Sequence, residues 1–564
     1  MIFIRNSGIL FFTALMVFNQ VAVAQLRDFI PVNNAAINNP DPANWLRWRG
    51  NHNADGYSPL DQLNPENVNK LQLAWAWNLN DGETEQEPIV YNGIMFLPHT
   101  SGKVQALDAS NGNLIWEYQR RMPRGMNGTT RGLAIYEDKI LFTTDDSFLV
   151  ALNAMTGEMI WEIQTGDPDD RVNYSSPPIV GDGIIFAGQT CGVGTSKSCA
   201  LIAHDVNTGR ELWRRSSAAG PNDPPEHFNS WGGVPYEERR KASFWLAGSY
   251  DPELKLVYWS TASPYPYPGI LKGTGDGDLL YTNSILALEA ETGNIRWFFQ
   301  MQPRDNYDMD HQDNPILADV MIGGTMRKVI YLLGKPGILW AFDRETGEHI
   351  WNKQLVEYQN LYSNIDPETG EITINEAIIP RVVGDTHLVC PGMRGGKLFQ
   401  TNAYNPRTQV IYSPISSSCS EFKVVPLEQS RSGLDYGGLH YMQGTNEQVG
   451  RLAAISASTG NLLWNLDQRA ALGSVLTTGG NLVFYGDLHR YFRAVNAETG
   501  EKLWEIGLGS AITGYPISYA ANGKQYVAVA IGGGSAGTRH FATMYPELNV
   551  QFGSSMLMVF ALPD

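Results

Sequence analysis

The sequence predicts an all-β chain folded as an eight-bladed β-propeller with tryptophan-docking repeats, and three observations carry that expectation. Seven segments share one pattern, their Gly-to-Trp offset never changes, and their spacing suits a four-stranded unit. The segments are ALDASNGNLIW, ALNAMTGEMIW, AHDVNTGRELW, ALEAETGNIRW, AFDRETGEHIW, AISASTGNLLW and AVNAETGEKLW. Their glycines stand at 112, 157, 209, 293, 347, 460 and 500, and the tryptophans at 116, 161, 213, 297, 351, 464 and 504, always four residues later. The Asn-Gly or Thr-Gly step supplies a residue that accepts positive φ at a hairpin, and the Trp on the outgoing strand reaches the neighbouring sheet. One such unit cannot bury both faces of its own sheet. Spacings of 40 to 54 residues match blades that bury those faces by stacking radially.

Two intervals are wider, 84 residues from Gly209 to Gly293 and 113 from Gly347 to Gly460. The second can hold a further blade without the motif, and KLFQTNAYNPRTQVIYSPI (397–415) reads there as strand, turn and strand, bringing the expected count to eight. The first contains PNDPPEHF (221–228) and SPYPYPGILKGTGDGD (263–278), long Pro-rich loops inserted into a blade, of the kind that carry sites on rigid scaffolds. LQLAWAW (71–77) and SMLMVFALPD (555–564) are both strand-like, and pairing them within one blade would close the ring.

Composition narrows the function classes. With 43% hydrophobic and 18% charged residues, the chain has the make-up of a well-packed globular protein rather than a disordered one. A net charge of −17 repels phosphate backbones, which argues against nucleic acid as a partner and leaves room for a cationic protein. Beyond the first 25 residues no run of 18 apolar residues occurs, so no membrane span is expected. Arg5, the apolar stretch Ile9 to Phe18 and Ala22-Val23-Ala24 follow the order of a secretory signal peptide, which assigns 1–24 to a leader and 25–564 to a single propeller domain. Four cysteines, at 191, 199, 390 and 419, suggest two disulfides in an exported protein. Three connectivities are open, with the sequence-local pairs Cys191 to Cys199 and Cys390 to Cys419 favoured. The sequence has no Cys-x-x-Cys-His, so no covalently attached c-type haem is expected.

DNYDMDHQDNPILAD (305–319) concentrates Asp305, Asp308, Asp310 and Asp313 in one loop; alone, such a run reads as a solvated turn. Likewise Lys335 in LLGKPGILWAFD reads as a loop lysine and Trp245 in KASFW as a core residue. Together with the repeat, these segments resemble the quinoprotein alcohol dehydrogenases, eight-bladed propellers that hold pyrroloquinoline quinone (PQQ) and a metal ion on the central axis. The likeness runs over about residues 40–560, and GGNLVFYGDLHRYFRAVNAETG (479–500) with GSAITGYPISYAANGKQYVAVAIGGG (509–534) looks like the family's last blade. It implies Asp308 as the general base that takes the hydroxyl proton of an alcohol. It implies Lys335 as the cation beside the quinone oxygens and the base. Arg131 in TTRGLAIY matches an Arg on an acidic edge of PQQ, and Thr143 in LFTTDDSFLVALNA and Ser243 match hydroxyl donors to its carboxylates. Trp245 matches the Trp on which the flat cofactor lies. Asp310 matches a position associated with lanthanide rather than calcium use, and Cys390 with Cys419 matches a family disulfide.

The sequence departs from the family at the metal. The family normally places a Glu in a Ser-Gly-Ala-Glu-like loop and an Asn in a Gly-Asn-Pro-like loop; here AGQTCGVGTSKSC (187–199) has no acid and STASPYPYP (260–268) has Ser263 in place of the Asn. The expected ligand set is Asp308, Asp310 and Ser263, with Gln189, backbone carbonyls and PQQ oxygens behind them, for Ca2+ by default or a lanthanide. The adjacent-cysteine disulfide that covers PQQ in many relatives is missing from MNGTTRG (126–132), and a Cys191–Cys199 ring beside the cofactor is expected instead. The function implied is a periplasmic PQQ-dependent dehydrogenase that oxidises an alcohol to an aldehyde or ketone and passes electrons to a separate cytochrome c. A non-catalytic scaffold of the same superfamily is the alternative; it would carry a lipid-anchoring Cys and lack Asp308, Lys335 and Arg131. A sugar hydrolase would need an acid pair across the axis, and no such pair stands out.

Overall fold

The computed structural model describes residues 29–126, 128–192, 198–534 and 536–564; the expected leader, 1–24, lies outside them. Eight sheets make up the body, each with four antiparallel strands, and one of them adds a short fifth strand in parallel. The first consists of Ile89–Tyr91, Ile94–Pro98, Lys103–Asp108 and Leu114–Gln119. Its first two strands are buried at every residue, whereas the fourth alternates between covered and exposed positions. Continuous apolar runs therefore form the inner strands, and two-residue alternation marks the rim.

The same order recurs over 134–164, 179–215, 249–300, 316–354, 403–468 and 472–507. The eighth sheet joins the two ends of the domain: Gln72–Asn78 pairs with Met556–Ala561, from Gln72 opposite Ala561 to Asn78 opposite Met556, beside Lys524–Ile531 and Ile517–Ala521. The two end segments thus meet as the sequence suggested. The strand-turn-strand at 397–415 has a different place from the one expected. Ala403–Asn405 and Val410–Ser416 form no additional blade; they are the first two strands of the sheet whose third and fourth strands hold the repeat at Gly460. The repeat spans only strands three and four, so each sheet must draw its first two from upstream sequence. Excursions fill the wide interval instead, including a three-stranded sheet of Thr386–Val389, Ser418–Val424 and Leu434–Tyr441. Of the two Pro-rich loops, 221–228 runs between the third and fourth sheets, and 263–278 lies inside the fourth, between Leu256–Ser260 and Ser284–Glu289.

Each repeat glycine sits in a tight turn. At Gly157 the amide donates to the Asn153 carbonyl at 2.8 Å and φ is +73°. A Cβ there would stand 2.6 Å from the ring of Trp116 in the preceding sheet. Gly112 faces Trp75 in the same way, Gly209 faces Trp161, Gly293 faces Trp213, Gly347 faces Trp297, Gly460 faces Trp351 and Gly500 faces Trp464. The indole N–H of Trp116 donates to the Ala154 carbonyl at 2.9 Å, and that of Trp504 to the Leu71 carbonyl at 3.1 Å. Glycine is required twice over, by backbone handedness and by the indole against it.

One N-terminal segment ties the first strands of several sheets together. Trp45 pairs with Val90 of the first sheet, the His52 carbonyl accepts from Tyr250 of the fourth, and the Asn53 carbonyl accepts from Leu317 of the fifth. The Asp55 carbonyl then accepts from Tyr404 of the sixth, and Tyr57–Ser58 runs parallel to Leu472–Thr478 of the seventh. Inside this crossing, the Arg49 guanidinium bonds the Glu87 carboxylate at 3.1 Å and the carbonyls of Val475 and Pro516.

Antiparallel order also decides where a site can lie. Entry into the first strand, the link from second to third, and the exit of the fourth all fall at one end of a sheet. The repeat turns, between third and fourth, fall at the other.

Candidate active site

Apart from Thr143, the last residue of the strand Lys139–Thr143, the residues proposed for chemistry lie on connections of the first kind. Arg131 precedes Ala134–Tyr136, Ser243 and Trp245 precede Ser249–Asp251, and Asp308 and Asp310 precede Ile316–Ile322. Ser263 follows Leu256–Ser260, and Lys335 lies between Thr325–Leu333 and Ile338–Asp343. They line two adjoining cavities of about 680 and 530 Å³ that share Asn173, Thr190, Trp245 and Leu398. The larger holds Glu85 and Arg131, the smaller Ser243, Ser263, Asp308, Asp310 and Lys335.

The acidic loop is not a solvated turn. Asp305 organises it, accepting from the amides of Tyr307 and Met309 at 3.0 Å each. Between them Asp308 has φ +62°, an uncommon conformation for a non-glycine residue. The Lys335 ammonium, 2% exposed, lies 3.1 Å from Asp308 Oδ1 and 3.0 Å from Asp310 Oδ2, and donates to the Asp308 carbonyl at 2.6 Å. Burial pushes the Asp308 carboxyl up to about 7 against the opposing pull of Lys335, with the Asp310 charge adding to the rise. Lys335 is itself held above its ordinary value: burial opposes its charge, and the two aspartates outweigh that.

Trp245 joins the two cavities. Its indole N–H points to Asp310 Oδ2 at 3.3 Å, and its ring lies 5.1 Å from the Arg131 guanidinium carbon. Arg131 donates to the carbonyls of Ser175 and Trp245 at 3.1 and 3.3 Å and pairs with Glu85 at 2.6 Å, while its buried Nε has no partner. Asn173 Oδ1, in the wall common to both cavities, is likewise buried and unpartnered. A flat polyacid lying on Trp245 would find a guanidinium at one end and an ammonium with two carboxylates at the other. The site therefore fits PQQ.

The remaining candidates differ. Ser243 Oγ accepts from the Cys191 amide at 2.8 Å at the cavity wall. Thr143 is buried, donates to the Ser176 carbonyl at 2.9 Å and lines neither cavity. Gln189 uses its amide on the Thr165 carbonyl and the Ala200 N–H, also away from both. The disulfides join Cys191 to Cys199 and Cys390 to Cys419, and Cys191 lines the smaller cavity. Sequence reasoning passed over Glu85, Asn173, Thr190 and Arg394. Glu85 left a trace, since three glutamates in GETEQEP immediately precede a fully buried strand; the others have no local signal.

Comparison with known proteins settles the family. The family model described as the β-propeller domain of glucose, ethanol and alcohol dehydrogenases that use PQQ matches residues 45–360 and 458–527, more than half of the chain. The chain belongs to the quinoprotein alcohol dehydrogenase family. Among its relatives, quinoprotein alcohol dehydrogenase PedH of Pseudomonas putida is 31% identical over 513 residues, covering 85% of this chain and 84% of that protein. A quinohemoprotein alcohol dehydrogenase of Comamonas testosteroni is 31% identical over 90% of this chain and 74% of its own length. Among solved structures, quinohemoprotein alcohol dehydrogenase ADHIIG of Pseudomonas putida superposes with a TM-score of 0.86 at 29% identity, covering 95% of this chain and 83% of that one. A europium-containing methanol dehydrogenase also reaches a TM-score of 0.86, at 26% identity, covering 94% of this chain and all of that one. Membership makes the enzymatic reading the right one, over the scaffold. Among the described residues no helix is long and apolar enough to cross a membrane.

Proposed function

We propose that this quinoprotein alcohol dehydrogenase oxidises an alcohol to an aldehyde or ketone in the pair of cavities around Trp245, with Asp308 as general base. The observation that carries the reading is the convergence of Asp308, Asp310 and Lys335 at one end of Trp245, with Arg131 and Glu85 at the other. When bound, PQQ supplies the carbonyl that accepts the alcohol's hydride. An Asp308 carboxylate oxygen takes the hydroxyl proton; its raised proton affinity suits a base working near neutral pH. Lys335 holds that carboxylate in place through contacts at 2.6 and 3.1 Å and supplies positive charge where negative charge develops. Arg131, oriented by Glu85, receives an acidic edge of the cofactor, Trp245 offers it a flat face, and Ser243 a hydroxyl. Thr143 belongs to the same reading one layer behind, on the Ser176 carbonyl.

The metal expected from the family fits less well. Ser263 turns its hydroxyl to Asn283 and Asp305, and both Asp310 oxygens already have donors, so no step is routed through an ion. The eight sheets are read as the blades of one ring, with the repeat tryptophans docked between neighbours and 25–564 as one domain. Electrons pass to a separate cytochrome c, and the location is periplasmic. The test is Asp308→Asn: PQQ-dependent dye reduction with an alcohol should fall by about 10²–10⁴-fold while circular dichroism shows the variant still folded at the assay temperature. Turnover within a few-fold of wild type would remove Asp308 as the base.

A further inference from the structure

A hard cation takes six or more oxygen ligands, several of them anionic. At the carboxylate end of the smaller cavity three of the four carboxylate oxygens already have a cation or donor, which leaves only Asp308 Oδ2. Asp310 Oδ1 accepts from the Ser263 amide at 2.7 Å, and Oδ2 accepts from Lys335 at 3.0 Å and from the Trp245 indole at 3.3 Å. Asp308 Oδ1 lies 3.1 Å from the same ammonium, and the Ser263 hydroxyl points away, to Asp305 and Asn283. Gly192, in the cavity wall, cannot carry a ligating side chain, because a Cβ there would stand 2.5 Å from both the Cβ and the carbonyl oxygen of Arg171. Among the described residues no group of three His, Cys, Asp or Glu side chains is placed to hold a metal ion.

Cations line this cavity instead. Arg171, Lys335 and Arg394 face it alongside the two aspartates. Arg394 has a buried Nε without a partner, and its Nη2 bonds the His540 ring at 3.0 Å rather than a carboxylate. One ammonium shared by two carboxylates still leaves guanidinium charge free to meet an anionic ligand.

Building on the quinoprotein reading, we propose that this chain binds PQQ without a metal ion, Lys335 and Arg394 supplying the positive charge that its relatives draw from calcium or a lanthanide. Full-length protein stripped with EDTA would be titrated with PQQ in EDTA, in Ca2+ and in La3+, following tryptophan fluorescence and counting bound metal by mass spectrometry. The expected result is affinity equal within about twofold in all three conditions, with bound metal far below one per chain. Tenfold or greater tightening by Ca2+ or La3+, with stoichiometric metal, overturns the inference and leaves the dehydrogenase reading standing. Absence of PQQ binding in every condition overturns both. Arg394→Gln should weaken PQQ by roughly tenfold in EDTA, as expected for loss of a charge-assisted contact; unchanged affinity removes Arg394 from the assignment.

Discussion

Lys335 shows how much one side chain can decide. Its ammonium is shared by two carboxylates in a place where all three are largely withdrawn from water. Removing one partner of a buried ion pair strands charge in low dielectric, so Lys335→Met should cost about 3 kcal/mol in denaturant unfolding, and adding Asp310→Asn should recover part of it. A midpoint equal to wild type would mean that the ammonium does not hold the pair. Asp55 provides a pH handle remote from the chemistry. Buried and bonded by Asn51 at 3.0 Å and by the Tyr57 amide at 3.1 Å, it has its carboxyl pushed up to about 7 by burial. The folded chain therefore keeps a proton there that the unfolded chain has lost, and stability falls as pH rises from about 4 to about 7. Across that window the melting temperature of wild type should drop relative to Asp55→Asn. A constant difference contradicts the assignment.

At the scale of the element, the repeat turn at Gly157 and the turn at Gly93, between the first two strands of the first sheet, separate two costs that usually arrive together. Gly93 and Gly157 have nearly the same backbone, φ +74° and +73°, but a Cβ at Gly93 meets nothing within 4 Å whereas one at Gly157 meets Trp116 at 2.6 Å. Gly93→Ala should lose only the handedness penalty, about 1 kcal/mol. Gly157→Ala adds overpacking and should lose about 2–4 kcal/mol. Equal urea midpoints for the two variants would show that the indole is not packed on the turn. The repeat turn lies at the opposite end of each sheet from the entry loops, which leaves those loops free to vary around Trp245.

At the scale of the whole molecule, Arg49 links parts of the chain that are remote in sequence. Fully buried, it joins Glu87, ahead of the first sheet, to Val475 in the seventh and Pro516, ahead of the eighth. Arg49→Ala leaves Glu87 charged and buried and frees two carbonyls, so a loss of about 3–5 kcal/mol is expected. Arg49→Lys should restore only part, since a single ammonium cannot match the fork. Full rescue by lysine would mean that charge alone matters there. Measured by thermal unfolding, the loss should appear in the main transition, because the segment from Trp45 to Ser58 touches the first strands of five sheets.

The sequence by itself determined the repeat, its strand-and-turn character and the strand pairing of the two ends, because Gly-to-Trp spacing and apolar runs are local properties of a chain; the family followed from the resemblance of its motifs to known quinoproteins. That resemblance, rather than the residues read alone, pointed to Asp308, Asp310, Lys335, Arg131 and Trp245 as site candidates. The sequence misplaced the strands of 397–415, because a repeat that covers two strands does not say which sheet receives the other two. Only the tertiary structure put Glu85 against Arg131, Arg394 beside the carboxylates and the Arg171 backbone against Gly192, contacts between residues far apart in sequence that exist only once the loops converge. Whether a carboxylate is free to bind an ion is decided in the same way, by which donors the fold has already placed on its oxygens.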